Sequence, residues 1–371
     1  MCGEIQTKVE GRWHGRHLVV HGESVSRLSV LDASIWLLGV EIRMGGIGAV
    51  GTKREHRMKG YARRLLEDTV QYMTALGCDV SMLFGISDFY NKFGFISCLP
   101  DHRSSIATRD AEGAAEGAGA YTTRPVEQED LPWIVGLYNG RNRRRPAALV
   151  REEEFFTGFR EGSAYGVEAD AFVMQNEDGE RIGYAAFDDS RTAVNVVEVN
   201  VADWAAHWSF LHEFAKMAVE RRCGEVQLHM ASDDPFVRFA RRYGCNTQIG
   251  YRRMGGGMMR ILNQDTLFRK LQPALQERVA RSPLAGRPTT VGLETDLATT
   301  ELHFNGAPEA DQTRRWRVKL GQDKLMQLVV GYRAADDLLA DPDVTAEGDV
   351  RALLEVLFGG LSPYVWRVDT F

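Results

Sequence analysis

Residues 47–84 read IGAVGTKREHRMKGYARRLLEDTVQYMTALGCDVSMLF, and this stretch decides the fold. Ile47 to Thr52 has the make-up of an incoming strand and Cys78 to Phe84 that of an outgoing one. Between them Ala62, Leu65, Leu66, Val70, Met73 and Leu76 keep helical spacing, and Gly77 stands where a left-handed cap ends a helix. The strand-to-helix loop holds Arg57-Met58-Lys59-Gly60-Tyr61-Ala62, an R-x-x-G-x-A arrangement. A helix start offers unpaired N–H groups and a partial positive charge, and Gly60 and Ala62 keep bulk away from it. The loop is therefore expected to cradle a diphosphate, with Arg57, Lys59 and Arg63 adding charge-assisted contacts.

Outward from that stretch, 371 residues imply two or three domains. Hydrophobic residues at 44% and charged ones at 26% describe ordinary folded material and argue against wholesale disorder or a fibrous repeat. A net charge of −6 opposes a broad nucleic-acid-binding face while leaving room for one local anion site. No apolar run is long enough to cross a bilayer and the start MCGEIQTKVEGRWHGRH lacks a secretory core, so a cytoplasmic address and no membrane partner are expected. The five cysteines, Cys2, Cys78, Cys98, Cys223 and Cys245, show no CxxC pair and read as reduced thiols. The histidines show no metal spacing, so no metal is expected, and the basic run Arg141 to Arg145 reads as a solvated loop.

The small residues DAEGAAEGAGA, Asp110 to Ala120, read as a linker, which sets a first boundary near Ala120. A strand-like YTTRPV and a helical EQEDLPWIVGLYN then open a second domain. Further on, VVEVNV, the amphipathic WSFLHEFAKMAVERRCG ended by Gly224, and EVQLHM repeat the αβ alternation. The pattern breaks at the glycines of MGGGMMRILN. A helix from Asp265 to Arg281, strand-like runs near Val291, Glu301 and Trp316, and a helix from Val350 to Phe358 follow. The expected organisation is α/β over 1–120 and 121–259 and α+β over 260–371.

The R-x-x-G-x-A loop after a strand, together with FGISDFYNKFGFISCLP at 84–100, resembles the acetyl-CoA signature of the GCN5-related N-acetyltransferase (GNAT) superfamily, closely over roughly the first hundred residues. The resemblance implies a mixed-sheet domain in which Val50 and Thr52 lie on the strand that pairs with the pantetheine arm of acetyl-CoA. Arg57, Met58, Lys59, Gly60, Tyr61 and Ala62 then hold the pyrophosphate, mainly through main chain. Family members attack the thioester directly, without an acyl-enzyme. Ser87 is expected to cap a short helix, Asp88 to Lys92, that holds Tyr90 beside the gap between two strands. Tyr90 matches the family's general acid; the other reading is a core aromatic among Phe89, Phe93 and Phe95. Cys78 and Cys98 have no evident His or Asn partner and read as buried thiols rather than nucleophiles.

In the second domain ADWAAHWSFL follows the strand without an Arg-x-x-Gly-x-Gly/Ala loop, so a structural copy with no coenzyme is expected. The third domain, MRILNQDTLFRKLQPALQERV through LFGGLSPYVWRVDTF, resembles the sterol carrier protein-type domain that closes the enhanced intracellular survival (Eis) family. The order agrees: two GNAT-type domains in tandem, then a carrier-like domain. That family's terminal carboxylate enters the first active site as general base, which here implies Phe371; the other reading is a frayed tail, which the aromatic PYVWRVDTF opposes. Members open with a strand and two helices that line the acceptor site, whereas this chain begins almost at HLVVHGE and is read as lacking them, so no acceptor-binding residue is assigned. The resulting expectation is an acetyl-CoA-dependent N-acetyltransferase acting on a primary amine. The amine is an aminoglycoside- or polyamine-like small molecule in an acidic pocket, or lysine. A homo-oligomer, by family analogy a hexamer, goes with it. The alternative is a non-enzymatic binder whose carrier-like domain holds a lipid while the first domain senses acyl-CoA.

Overall fold

The computed structural model describes residues 3–190, 192–306 and 314–371, and Cys2 lies outside them. Four strands open the chain as an antiparallel meander: β1 (Glu4–Glu10), β2 (Trp13–Val20), β3 (Glu23–Leu37) and β4 (Val40–Thr52). Helix α1 (Tyr61–Ala75) returns the chain to β5 (Val80–Gly85), which pairs parallel with β4, and β6 (Ile96–Leu99) follows. Alternation drives the meander, with His14, Arg16, Leu18 and Val20 of β2 all buried on the α1 side of the sheet. On α1 the buried Leu65, Leu66, Thr69 and Met73 form one stripe, and this stripe covers that face.

The middle of the chain builds a second sheet. Its elements are β7 (Asp101–Ala107), α2 (Thr108–Ala111), β8 (Tyr121–Pro125), α3 (Leu131–Asn142), β9 (Asp170–Asn176), β10 (Arg181–Asp189) and β11 (Ala193–Val201). Then come α4 (Ala206–Glu220), β12 (Glu225–Leu228), α5 (Pro235–Ala240), β13 (Asn246–Gly250) and β14 (Gly256–Ile261). The last part runs α6 (Gln264–Ala280), β15 (Thr289–Glu294), β16 (Thr299–Phe304), β17 (Arg314–Lys319), α7 (Gln322–Val330), α8 (Ala335–Leu339), β18 (Thr345–Glu347) and α9 (Arg351–Phe358).

The strand orders are β1-β2-β3-β4-β5-β14-β6, β13-β7-β12-β11-β10-β9-β8 and β16-β15-β17-β18. The first two units therefore exchange chain segments, and the boundaries near 120 and 259 do not follow the sheets. After β6 the chain leaves for the second sheet as β7, and it returns as β14 between β5 and β6. Met258 faces the α1-side core while Met259 and Ile261 face the opposite one. A strand buried on both faces shows no alternation, and the glycines before it read as a break.

Asp110 to Ala120 is not a free linker. Ala111 and Ala114 are buried, and a Cβ on Gly117 would overlap the Trp208 indole. Small residues here permit close packing on α4. A strand, β1, does precede β2, and Gly11 and Arg12 join the two directly where the resemblance expects helices. After α4 the left-handed residue is Arg222 (φ 56°) rather than Gly224, whose N–H and carbonyl bond to Thr192 and Thr108.

The face of the first sheet opposite α1 is covered by the third unit. Leu31, Ile35 and Met44 share one core with Leu267, Phe268 and Leu271 of α6 and Leu325 of α7. Polar latches fix that contact. Asp79, fully buried, pairs with Lys270 at 2.5 Å and accepts from the Thr266 hydroxyl at 2.7 Å, and the Gln322 amide donates to the carbonyl of Gly94 at 2.6 Å. The candidate site is thereby held on a sheet supported from both sides.

Candidate active site

Strand β4 loses its partner midway. Its parallel pairing with β5 runs from Met44–Val80 to Ile47–Leu83 and stops. Against β3 the register shifts between Arg27–Gly51 and Ser29–Gly48, which places one extra residue on β4, and Ala49 there has φ 51°. The bulge turns β4 away from β5 and leaves its edge from Gly48 to Thr52 unpaired on that side. An extended ligand with amide groups can pair with such an edge.

The loop after β4 leads to α1, whose N-cap is Gly60 at φ 78°, a conformation that strains any other residue type. No side chain caps this helix and no acidic residue stands in its first turn. The first helical bond recorded across the cap runs from the Arg64 N–H to the Gly60 carbonyl at 3.1 Å, so the N–H groups of Tyr61, Ala62 and Arg63 have no helical acceptor. Arg57, Met58, Lys59 and Arg63 are exposed around it, and Arg57 Nε donates to the Thr52 carbonyl at 3.3 Å. Cationic side chains beside a bare helix start suit an anion. Nearby Glu23, Glu55 and His56 approach one another at the surface, where Lys53 already pairs with Glu23 at 2.6 Å.

Tyr90 opens a short turn of 3₁₀ helix, Tyr90–Phe93, which begins without a side-chain cap. Ser87 does not cap it; its hydroxyl donates to the Met254 carbonyl at 3.0 Å, so it ties this turn to the segment entering β14. The Tyr90 ring packs edge-on against Phe89 at 4.9 Å between centroids and over Gly85, where a Cβ would overlap it. Burial pushes its phenol above the usual range, and among the described residues its hydroxyl has no hydrogen-bond partner. The phenol is thus held in its proton-carrying form on the wall of a cavity.

The chain end arrives from the far side. Past α9 it crosses the second unit, where Tyr364 donates to the His229 carbonyl at 2.6 Å and the Trp366 indole donates to Asn142 at 2.9 Å. In this unit β11 and β12 pair only from Ala193–Glu225 to Val196–Leu228. The buried Tyr364 and Trp366 join the core beyond that point, and α4 starts on Ala206 and a buried His207. The tail ends against β4. Phe371 packs edge-on to Phe84 at 5.5 Å, and a Cβ on Gly46 would come within 2.5 Å of its ring.

Val50, Tyr90 and Phe371 line a single cavity of about 510 Å³ with Gly48, Ala49 and Phe84. The second unit closes one wall through Glu161, Gly162, Ala164 and Tyr165. Thr52 lies elsewhere, on a 480 Å³ depression with Ser26 and Lys53 next to the loop. The loop residues Arg57 to Arg63 stand beyond the cavity, at the start of α1. Glu161 and Arg367 are the charged side chains that line the Tyr90 cavity, and the end of the chain at Phe371 lines it as well. Sequence reading missed Gly46, Gly48, Phe84, Arg367 and the 161–165 loop; glycines repeated within one strand are the signal, since they mark close approach of another group.

Residues 7–97 match the family model of the acetyltransferase (GNAT) domain. The matched stretch runs from β1 to β6 of the first unit. No curated protein matches the chain. Among solved structures, the GCN5-related N-acetyltransferase from Anabaena variabilis shares 19% identity over 96% of this chain and 89% of that one, with a TM-score of 0.69. A GCN5-related N-acetyltransferase from Kribbella flavida gives 19%, 96%, 88% and 0.68. Eis1 from Mycobacterium abscessus gives 15%, 98%, 91% and 0.65. The likeness is one of fold, and it extends over nearly the whole chain.

Proposed function

We propose that the chain transfers acetyl from acetyl-CoA to a primary amine of a small molecule or of lysine. The observation that carries this reading is the meeting of Tyr90 and the Phe371 terminus in one cavity at the parting of β4 and β5. The unpaired β4 edge at Val50 suits the pantetheine amides, and the bare start of α1 with Arg57, Lys59 and Arg63 suits the pyrophosphate. An amine is protonated in neutral water and must lose a proton before it attacks. The Phe371 α-carboxylate takes that proton as general base. The neutral nitrogen forms a bond to the thioester carbon, the carbon–sulfur bond breaks as the Tyr90 phenol gives its proton to the departing thiolate, and the second proton that the new amide nitrogen sheds restores the phenol. A phenol held neutral by burial is suited to that task.

The second unit shapes the acceptor wall, and the carrier-like third unit has a structural task, since α6 and α7 close their apolar faces on the first sheet. Glu161 and the Phe371 carboxylate against the single Arg367 suit a cationic acceptor, an aminoglycoside- or polyamine-like primary amine or a lysine side chain. Thiol release from acetyl-CoA, measured against a panel of aromatic, aliphatic and polycationic primary amines, tests the reading. Amine-dependent release supports it. Binding of acetyl-CoA with no release by any amine points to the non-enzymatic binder.

A further inference from the structure

We propose that Asp369 is a positioning residue, through which a buried arginine of the second unit fixes the Phe371 carboxylate; the inference rests on the general-base reading above. Both Asp369 oxygens accept from Arg151, Oδ1 from Nε at 2.9 Å and Oδ2 from Nη2 at 3.0 Å, and Oδ2 also accepts from the Tyr138 hydroxyl at 2.9 Å. The other edge of the same guanidinium grips Glu198, Nη1 to Oε1 at 2.8 Å and Nη2 to Oε2 at 2.6 Å. Glu198 Oε1 accepts in turn from the Tyr184 hydroxyl at 2.6 Å and from the Asn200 amide at 3.1 Å. Side-chain exposure is 2% for Arg151, 0% for Glu198 and 6% for Asp369.

Two carboxylates share one guanidinium in this cluster. Glu198 takes two of the guanidinium N–H groups and Asp369 takes the Nε–H and a further one on Nη2, while Arg12 stands near enough to offset part of the second carboxylate's charge. Asp369 thus ties the buried Arg151 to the tail of the chain. Here it fixes the last turn of the chain. Asp369 closes a turn with its N–H on the Trp366 carbonyl at 2.9 Å, and only Thr370 separates it from the terminal residue. Two residues span at most roughly 7 Å, so a held Asp369 confines the terminal carboxylate to the neighbourhood of Gly48. A chain end without such a tie frays. The copy that lacks the coenzyme loop thereby acts on acceptor deprotonation in the other unit.

Carboxypeptidase A removes a C-terminal aromatic residue only when it can reach it, which gives a readout independent of turnover. With the full-length chain, Asp369→Asn should release free phenylalanine at least ten-fold faster than the native protein. Its kcat for amine-dependent thiol release should fall at least ten-fold while the Kd for acetyl-CoA stays within two-fold. In a chain lacking Phe371 the same substitution should lower the residual kcat by less than two-fold, because Asp369 acts through the deleted group. Should Asp369→Asn fail to fold, Tyr138→Phe removes a single bond to Asp369 and should give a smaller change of the same kind. Unchanged release of phenylalanine overturns the clamp, and faster release with undiminished kcat overturns the positioning role. If the native protein releases no thiol with any amine, the catalytic reading fails while the protease result still decides the clamp.

Discussion

The terminal carbonyl carbon of Phe371 lies 3.2 Å from the point that a Cβ on Gly48 would occupy. The strand that offers its edge to a ligand therefore also seats the end of the chain, and two glycines make the seat. A Cβ on Gly46 would come within 2.5 Å of the ring atoms, too close for the ring to stay where it is. Gly46→Ala should displace Phe371 and lower kcat by about 10²-fold, with a milder loss for Gly48→Ala. Acetyl-CoA affinity, measured by calorimetry, should change little in either variant. Full turnover in Gly46→Ala would separate the terminus from the chemistry.

Tyr90→Phe removes the donor and keeps the ring that packs on Phe89 and Gly85. Its kcat should fall by roughly 10²-fold or more, with the Kd for acetyl-CoA within about two-fold of native. An unchanged kcat would reduce Tyr90 to a core aromatic.

Gly60 holds φ 78° at the start of α1. Gly60→Val adds a strained backbone and a branched side chain beside the free N–H groups, at a cost of about 1–3 kcal/mol. Acetyl-CoA affinity should drop at least ten-fold by titration while the amine dependence of the remaining activity is kept. Native affinity in this variant would move the diphosphate site elsewhere.

Acid stability follows from buried histidines. Burial holds His207 and His229 down to about 4, so both are neutral when folded and take up a proton on unfolding between about pH 4 and their ordinary 6.5. The unfolded chain binds more protons in that window, hence stability rises with pH across it and is lost as pH falls from 6.5 towards 4. Asp234, pushed up to about 6 by burial from 3.8, holds a proton only when folded and works in the opposite sense between those values. Burial also holds His102 down and pushes Glu198 up, so three histidines stand against two carboxyls and the histidines set the direction of a net loss as pH falls. Thermal melting at about pH 7, about 5.5 and about 4.5 should show a falling Tm, steeper than in His229→Gln. A Tm that is flat over this range would contradict the assignment.

Local chemistry is legible in the sequence and long-range pairing is not. The loop from Arg57 to Ala62 announces itself because strand, glycine and helix are contiguous, and Gly77 at φ 83° follows the end of α1 as the pattern implies. Tyr90 and Phe371 are legible as candidates through the motif around one and the aromatic run before the other. The exchange of β7 and β14 is hidden, since a central strand carries the same letters whichever sheet accepts it. The clamp is hidden for a related reason. Arg151 and Asp369 stand 218 residues apart, and neither differs in its local setting from a surface charge.

The most direct test is a crystal soaked with acetyl-CoA. The account predicts the diphosphate on the N–H groups of Tyr61 to Arg63, the pantetheine along β4 at Val50, and the thioester sulfur about 3–3.5 Å from the Tyr90 hydroxyl with the Phe371 carboxylate facing the acceptor side. Coenzyme bound away from α1, or a cavity at Tyr90 that stays closed to it, would contradict the account.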